Sequence, residues 1–493
     1  MRYSGGRYRF QHALYQQVLY DQIGTARRRQ LHQRIGARLE AGYGARAGEI
    51  AAQLAVHFER GSATAQAVRY AQQAADNAAR RNAHHEAITT LTKGLALLAT
   101  LPESHERARH ELALQLALGE LLRTMKGVGS PDVGDVYTRA YALGQQVGET
   151  PQRIRVLWGL SQFHMVQGQM ATAEALAQRL LDLVQHQPDT GFAVEGHFVL
   201  GTMASYRGDF LVARTHLEHS CRLADTVPSP APLLRGGFVC GVTPRTSLAR
   251  VLWPLGYADQ ARQRSQEART LARQGDHIPT LAYTEYFVGL VCQCRRDVAA
   301  TQAHAEALLA VAAEHRLALR AAQGRLLRGW VLAMQGEAAA GVAYLRQALA
   351  SPDVGPESLR SDWLAVLAEA YGRAEQPQAG LQVLSEAVTL MATTAMRWWE
   401  AEVYRLQGEL RLHLPSPDVH QAEAAFLCAL DIARRQQAKA LELRAALSLA
   451  RLWQGQGQRA PARELLAPIY GWFTEGFDTA DLQEARALLD ALA

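Results

Sequence analysis

The stretch GWVLAMQGEAAAGVAYLRQAL, Gly329 to Leu349, holds two apolar runs separated by one short polar turn, with glycine at 329, 336 and 341. Both runs carry helical apolar spacing, and Gly336 stands where a helix ends on a left-handed residue. Gly329 and Gly341, twelve positions apart, then meet across a helix hairpin, because antiparallel helices approach most closely where side chains are missing. The same spacing recurs at Ala75/Ala87, Ser161/Ala173, Gly201/Ala213, Ala249/Ala261, Gly289/Thr301, Ala368/Gly380 and Ala450/Ala462. Gly168, Gly208, Gly256 and Gly457 repeat the turn position of Gly336, seven residues after the first small residue. From 161 to 450 the first members recur about every forty residues, with Gly408 and Ala422 joined by a longer turn through Pro415 and Pro417. Leu217, Leu345, Leu384, Phe426 and Leu466 follow the second small positions and are expected to fill the seams between hairpins. The spacing predicts an all-α array of helix-turn-helix repeats over residues 61–493, and its logic is mechanical.

Composition sets the outer limits. The 493 residues are 48% hydrophobic and 20% charged, an ordinary globular balance. No stretch approaches the roughly 18 uncharged apolar residues of a membrane helix, and Met1 to Gly6 contains no apolar signal core, so a cytoplasmic location without membrane contact is expected. Five scattered cysteines (Cys221, Cys240, Cys292, Cys294, Cys428) point to reduced, mostly buried thiols. The basic and acidic counts, 52 and 47, leave a net charge of only +5, so nucleic acid is not an expected partner. Phosphate-loop chemistry is excluded in its standard form, since Lys93 and Lys126 precede glycine and Lys439 precedes alanine, whereas that loop needs Lys followed by Ser or Thr.

Three segments depart from the rhythm. Gly119, the turn from Gly127 to Pro131 and a helix through Tyr137 and Leu143 read as a degenerate repeat. The proline-rich run from Val227 to Pro232, then Gly236, Gly237 and Pro244, stretches one period to 48 and predicts a loop that closes over the array or bends it. Residues 1–60 lack the twelve-residue pairing. There Tyr8 to Leu14 is expected to lead one amphipathic helix and Arg27-Arg28-Arg29 another, and the abrupt start suggests the tail of something larger.

The run YRFQHALYQQVLYDQIGTARRRQLHQRIGARLE, Tyr8 to Glu40, resembles the segment that follows the ATPase core in bacterial predicted-ATPase (STAND-type) signalling proteins. The Gly329 string, LAVLAEAYGRAEQPQAGLQVLSEAV from Leu364, RWWEAEVYRLQGELRL from Arg397 and YGWFTEGFDTADLQEARALL from Tyr470 resemble the tetratricopeptide region of those proteins. The resemblance implies a right-handed superhelical solenoid, with residues 1–60 as a remnant of the segment after the ATPase core. Its repeats are longer than the usual 34 residues. Many such proteins carry an adenylate or guanylate cyclase domain, and others a LuxR-type DNA-binding domain. Neither they nor the ATPase core are present in this sequence, so the resemblance implies a non-catalytic module. It would bind a protein, a peptide or a small effector, and would regulate an ATPase or cyclase in the same or another chain. The alternatives are a cyclase or ATPase shortened by loss of its catalytic part, or the sensor arm of a regulator similar to the maltose-operon activator. At Arg235 to Arg245, RGGFVCGVTPR departs from the acidic, glycine-containing loop expected there.

Candidate chemistry is sparse. His84-His85-Glu86 and His216/His219 place imidazoles near each other on a helix but lack a third ligand, and Cys292/Cys294 point to opposite helix faces, so no metal or cofactor is expected. The basic run Arg27 to Arg29 with Arg34 and Arg38 reads as a solvated face, or as a contact to a missing ATPase core, and Glu400/Glu402 and Asp478/Asp481 as polar helix faces. Trp398-Trp399 is expected to be half core and half exposed. The better candidate is the concave side, lined by the first helix of each hairpin. Positions one after and three before each first small residue give Trp158, Gln162, Phe198, Thr202, Thr246, Arg250, Tyr286, Leu290, Leu326, Trp330, Arg405 and Glu409 as groove-binding candidates, rich in aromatic and arginine side chains.

Overall fold

A computed structural model describes residues 2–4, 7–9, 13–184, 190–227, 234–235, 238–355 and 360–493. Among these residues are 24 α-helices, two short 3-10 turns and two small antiparallel hairpins, so the chain is all-α. It divides into two compact units, one of Met1–Leu121 with Ala142–Gly148 and one of Leu122–Tyr141 with Glu149–Ala493.

In the first unit, helices Thr25–Tyr43, Ala51–Arg60, Thr64–Arg80 and His84–Ala99 pack in sequence. Their apolar stripes meet at Leu54, Phe58, Ala67 and Tyr70, with the Phe58 and Tyr70 rings stacked 5.7 Å apart. Tyr70 donates its hydroxyl hydrogen to Glu40 at 2.7 Å, giving the buried ring a polar partner. Arg27, Arg29, Arg34 and Arg38 are exposed on Thr25–Tyr43, a solvated face. One expectation fails here. Tyr8 and Arg9 lie in strand Arg7–Arg9, paired with Arg2–Ser4, and the first helix begins only at Ala13. Alternating tyrosine and arginine suit a strand as well as a helix end; Phe10 to His12 lie outside the described residues.

The second unit is a stack of helix hairpins in which every sequence-predicted small pair from Ser161/Ala173 onward is found on two adjacent helices, as Ala75/Ala87 is in the first unit. Gly329 and Gly341 lie on Ala318–Met334 and Ala338–Ala350, and a Cβ built on Gly341 would stand 2.7 Å from the Gly329 carbonyl oxygen. Ser161, Ala173, Ala213, Ala249, Ala261, Thr301, Ala368, Ala422, Ala450 and Ala462 are likewise fully buried. The turn glycines Gly168, Gly208, Gly256, Gly336 and Gly457 have φ between 76° and 95°. In hairpins without that glycine, Arg296 and Glu375 take the same left-handed turn at φ 59° and 57°. The backbone N–H one position past the left-handed residue closes the turn, as in Gln169 to His164 O and Glu337 to Leu332 O with glycine and Asp297 to Cys292 O without it, so the geometry belongs to the hairpin rather than to glycine.

The stack also winds back on itself within this unit. The N–H groups of Arg397 and Trp398 donate to the Tyr206 carbonyl at 2.7 and 3.1 Å, and Ala440 N–H donates to Pro254 O at 3.0 Å. Glu475 accepts from the backbone N–H groups of Asp259 and Gln260 at the start of helix Ala258–Gln274. The Arg295 guanidinium donates to Asp478 at 3.3 Å. Turns of early repeats therefore rest on repeats roughly 200 residues later, and early and late repeats together flank the space along the inner helices.

Candidate ligand-binding cavities

Two cavities lie along that inner surface. In the first, helices Thr150–Val166, Thr190–Arg207, Val242–Leu252, Ile278–Cys294, Ala318–Met334 and Ser361–Arg373 contribute side chains. The space open to water-sized groups is about 170 Å³. Trp158, Gln162, Phe198, Thr202, Arg250, Tyr286 and Leu290, seven of the residues singled out from sequence, line it together. So do residues that the counting rule passed over, among them Arg123, Tyr206, Phe238, Tyr283, Phe287, Arg320, Trp363 and Trp398.

The aromatic side chains form one connected layer. Phe238 packs on Tyr283 at 4.7 Å, Tyr283 on Phe287 at 4.3 Å and Tyr286 on Phe287 at 5.1 Å. Trp363 Nε1 donates to the Tyr286 hydroxyl at 3.1 Å, across 77 residues of sequence. Guanidinium groups sit on these faces: Arg123 lies 4.3 Å from the Trp158 ring and 5.2 Å from Phe238, and Arg250 4.6 Å from Trp398 and 5.4 Å from Phe287. Phe238 arrives from the stretched loop, where Phe238–Val239 pairs with Leu234–Arg235 and Val239 N–H donates to Thr280 Oγ1 at 3.1 Å. The described part of that loop thus serves as a cavity wall; residues 228–233, 236 and 237 lie outside the described residues.

Four arginines (Arg123, Arg250, Arg320, Arg360) line this cavity against two carboxylates, Glu195 and Asp362. Burial pushes Asp362 up to about 6, even though Arg250 and the N–H groups at the start of helix Ser361–Arg373 pull the other way. Burial also depresses Arg320 to about 10, and Arg123 adds like-charge repulsion. Several polar atoms have no hydrogen-bond partner although they are shielded from the surface: Trp158 Nε1, Gln162 Nε2, Thr202 Oγ1 and Arg250 Nε.

The second cavity, about 420 Å³, is lined by Trp330, Arg405 and Glu409 from the sequence reading. Its charges are internally matched. Arg405 grips Glu402 at 2.7 and 2.9 Å and reaches Glu409 at 3.3 Å, Arg444 pairs with Asp481 at 2.8 Å, and Arg296 pairs with Glu484 at 2.7 Å. Burial raises the Glu402 carboxyl, but Arg405 and Arg444 outweigh it and hold the group at about 2. Glu400 and Glu402 were expected on an ordinary polar face; Glu402 is instead a buried charge in this network. Trp330 Nε1 donates to Glu369 at 3.3 Å.

Thr246 and Leu326 line neither cavity. Both are about 1% exposed, and Thr246 donates its hydroxyl hydrogen to the Thr243 carbonyl at 2.9 Å. Trp398 and Trp399 are both buried, their rings tilted against each other 4.8 Å apart, rather than half exposed, because the winding of the array covers them. Of the cysteines only Cys221 is buried, the others being partly so; burial raises Cys292 and Cys294 to about 12, so both remain protonated thiols.

His216 and His219 gain a third imidazole that spacing along one helix does not reveal. His197 Nδ1 lies 3.0 Å from His216 Nδ1, and its ring centroid is 4.3 Å from that of His219. Among the described residues no group of histidine, cysteine and carboxylate side chains has the geometry to hold a metal ion. Burial first, then His219 and His216, lowers His197 to about 4. The folded state therefore refuses a proton that the unfolded chain accepts near 6.5, so stability from this cluster is present above that pH and lost as pH falls toward 4. All eight tryptophans lie in the second unit, so tryptophan fluorescence isolates it. Its unfolding midpoint should drop between pH 6.5 and 4, and His197→Asn should flatten that drop.

No protein-family model matches the chain. An uncharacterised protein of Rhizobium meliloti (strain 1021) is 23% identical over 453 residues, covering 90% of this chain and 43% of that protein. The chain thus spans less than half the length of that curated relative. Among solved structures, a Rap protein complexed with competence and sporulation factor is 12% identical, covering 86% of this chain and 99% of its own, with a TM-score of 0.44. A signal transduction ATPase with numerous domains and a tetratricopeptide repeat sensor, from Pyrococcus horikoshii, is 14% identical, covering 78% of this chain and 54% of its own, with a TM-score of 0.40. Yeast Tom70 is 10% identical, covering 92% and 96%, with a TM-score of 0.34. The chain is a tetratricopeptide-like helical repeat protein. Among its described residues no helix is long and apolar enough to cross a membrane.

Proposed function

We propose that this chain is a non-catalytic sensing and protein-interaction module that regulates a bacterial signalling ATPase or cyclase, in cis or in trans. The observation that carries the reading is the aromatic cavity of the second unit, whose walls come from repeats far apart in sequence: Trp158 and Phe198 on early helices, Trp363 and Trp398 on later ones. An occupant touching both sets favours the wound arrangement by its differential contacts, which is the requirement for a ligand to shift a conformational equilibrium. The matched charges of the second cavity make it the weaker candidate. The low identity to the Pyrococcus horikoshii protein and the partial coverage of the Rhizobium meliloti protein leave the partner and the nature of the regulated enzyme as part of this proposal.

Tyr286 and Trp330 lie in different cavities, so single variants separate them. The chain is purified gently from its producing cells and weighed under native and denaturing conditions. The wild type and Trp330→Leu should retain an added mass that Tyr286→Leu loses, with helicity unchanged in all three. Loss from Trp330→Leu instead would move the site to the second cavity. Nucleotide-dependent stabilisation of the wild type would favour the enzyme reading over the sensor.

A further inference from the structure

We infer that the occupant of the aromatic cavity is a small organic anion, a carboxylate carried on an aromatic body of one or two rings; this rests on the sensing role proposed above. Three independent features converge on it.

The first is unbalanced charge. Arg320 is 8% exposed, and among the described residues it has no carboxylate within ion-pair distance; its contacts are Gln323, to which it donates at 2.7 Å, and the face of Tyr283, 5.3 Å away. A buried cation without a counter-ion is costly unless something supplies the opposite charge. Elsewhere in the same unit Arg405 and Arg444 are paired with Glu402 and Asp481. Arg320 thus departs from the buried Arg245, Arg295 and Arg444, each of which meets a carboxylate, and it borders a cavity.

The second is the polarity of the orphaned groups. Trp158 Nε1, Gln162 Nε2 and Arg250 Nε are all donors, and Thr202 Oγ1 can donate. The residues that carry them line the cavity, and a carboxylate, which accepts hydrogen bonds without donating any, matches such a donor-rich wall better than an amine or an amide does. The third is shape. About 170 Å³ of space exceeds the roughly 150 Å³ of an engineered cavity that takes up benzene. The walls offer ring faces for stacking, and the space is too small for more than one or two residues of a peptide.

The test is a thermal-unfolding and calorimetric panel on the full chain with benzoate, indole-3-acetate, phenyl phosphate, N-acetylphenylalanine, and the neutral counterparts benzyl alcohol and N-acetylphenylalanine amide. Indole-3-acetate and benzoate should raise the unfolding midpoint, and the neutral compounds should bind at least tenfold more weakly. A preference for N-acetylphenylalanine would identify a peptide C-terminus as the source of the carboxylate, and a preference for phenyl phosphate would overturn the carboxylate assignment. Arg320→Met should raise the midpoint of the ligand-free protein, because it removes an unpaired buried charge, and should abolish the response to anions. A purely structural Arg320 would give the opposite sign in the ligand-free protein. Equal binding of neutral and anionic compounds, blocked by Tyr286→Leu, would overturn the anion while leaving the cavity as the sensing site. If no compound in the panel binds, the aromatic carboxylate falls, and the sensing role is judged separately by the retained mass.

Discussion

Glu402→Ala should destabilise the second unit by about 3–5 kcal/mol, the cost of leaving buried guanidinium groups without their counter-charge. Glu402 is 6% exposed and receives both prongs of Arg405, at 2.7 and 2.9 Å, while Arg444 stands 3.6 Å away. Truncation leaves Arg405 with Glu409 at 3.3 Å and the Ser448 hydroxyl, neither of which replaces a two-pronged pair. The effect has a pH signature. Because the Glu402 carboxyl is held at about 2, below its unfolded value near 4.5, its stabilisation is present above the unfolded value and lost as pH falls toward 2. Urea titrations followed by tryptophan fluorescence should give the full difference at pH 7 and a shrinking one below pH 4.5. A difference under 1 kcal/mol at pH 7 would mean that the network is open to water.

Gly341→Val should be comparably damaging for a different reason. The added Cβ would meet the Gly329 carbonyl oxygen at 2.7 Å, Ala333 N at 2.8 Å and Ala333 Cβ at 2.9 Å. These are backbone atoms or the stub of an alanine, and none can rotate away, so helices Ala318–Met334 and Ala338–Ala350 must separate. Overpacking of this kind costs about 1–3 kcal/mol or more. Gly336→Ala in the same hairpin is the control. Its φ of 95° imposes strain of about 1–3 kcal/mol, but nothing lies within 4 Å of the new Cβ. The helix contact should therefore survive in Gly336→Ala and be lost in Gly341→Val, and exchange of the two helices' amide protons distinguishes them. Equal protection in both variants would remove the twelve-residue spacing as the organising contact.

That spacing was legible because its cause is local: two helices joined by a short turn cross at a fixed distance from it, and a large side chain there is excluded. The inner helix face was legible for the same reason, which is why Trp158, Gln162, Phe198, Thr202, Arg250, Tyr286 and Leu290 gather at one cavity. Tyr283 and Phe287 could have been found as well, since with Tyr286 and Leu290 they form a stripe at helical spacing. Phe238, Trp363 and Trp398 could not, because a loop and the winding of the stack bring them in, and neither leaves a periodic trace. Arg320 has a signal only in three dimensions, where no carboxylate among the described residues stands within ion-pair distance of it. The strand at Arg7–Arg9 was misread as helix because three residues are too few for period two and period 3.6 to differ.

The most direct test follows hydrogen exchange at the amides of Arg397 and Trp398, whose bonds to the Tyr206 carbonyl join early and late repeats. It is run on the full chain with and without indole-3-acetate, with the amides of helix Arg459–Tyr470 as reference. An occupant that grips both sides of the aromatic cavity should slow exchange at 397 and 398 while leaving the reference helix unchanged. Exchange at 397 and 398 that stays the same at concentrations where calorimetry shows the acid bound would contradict the account.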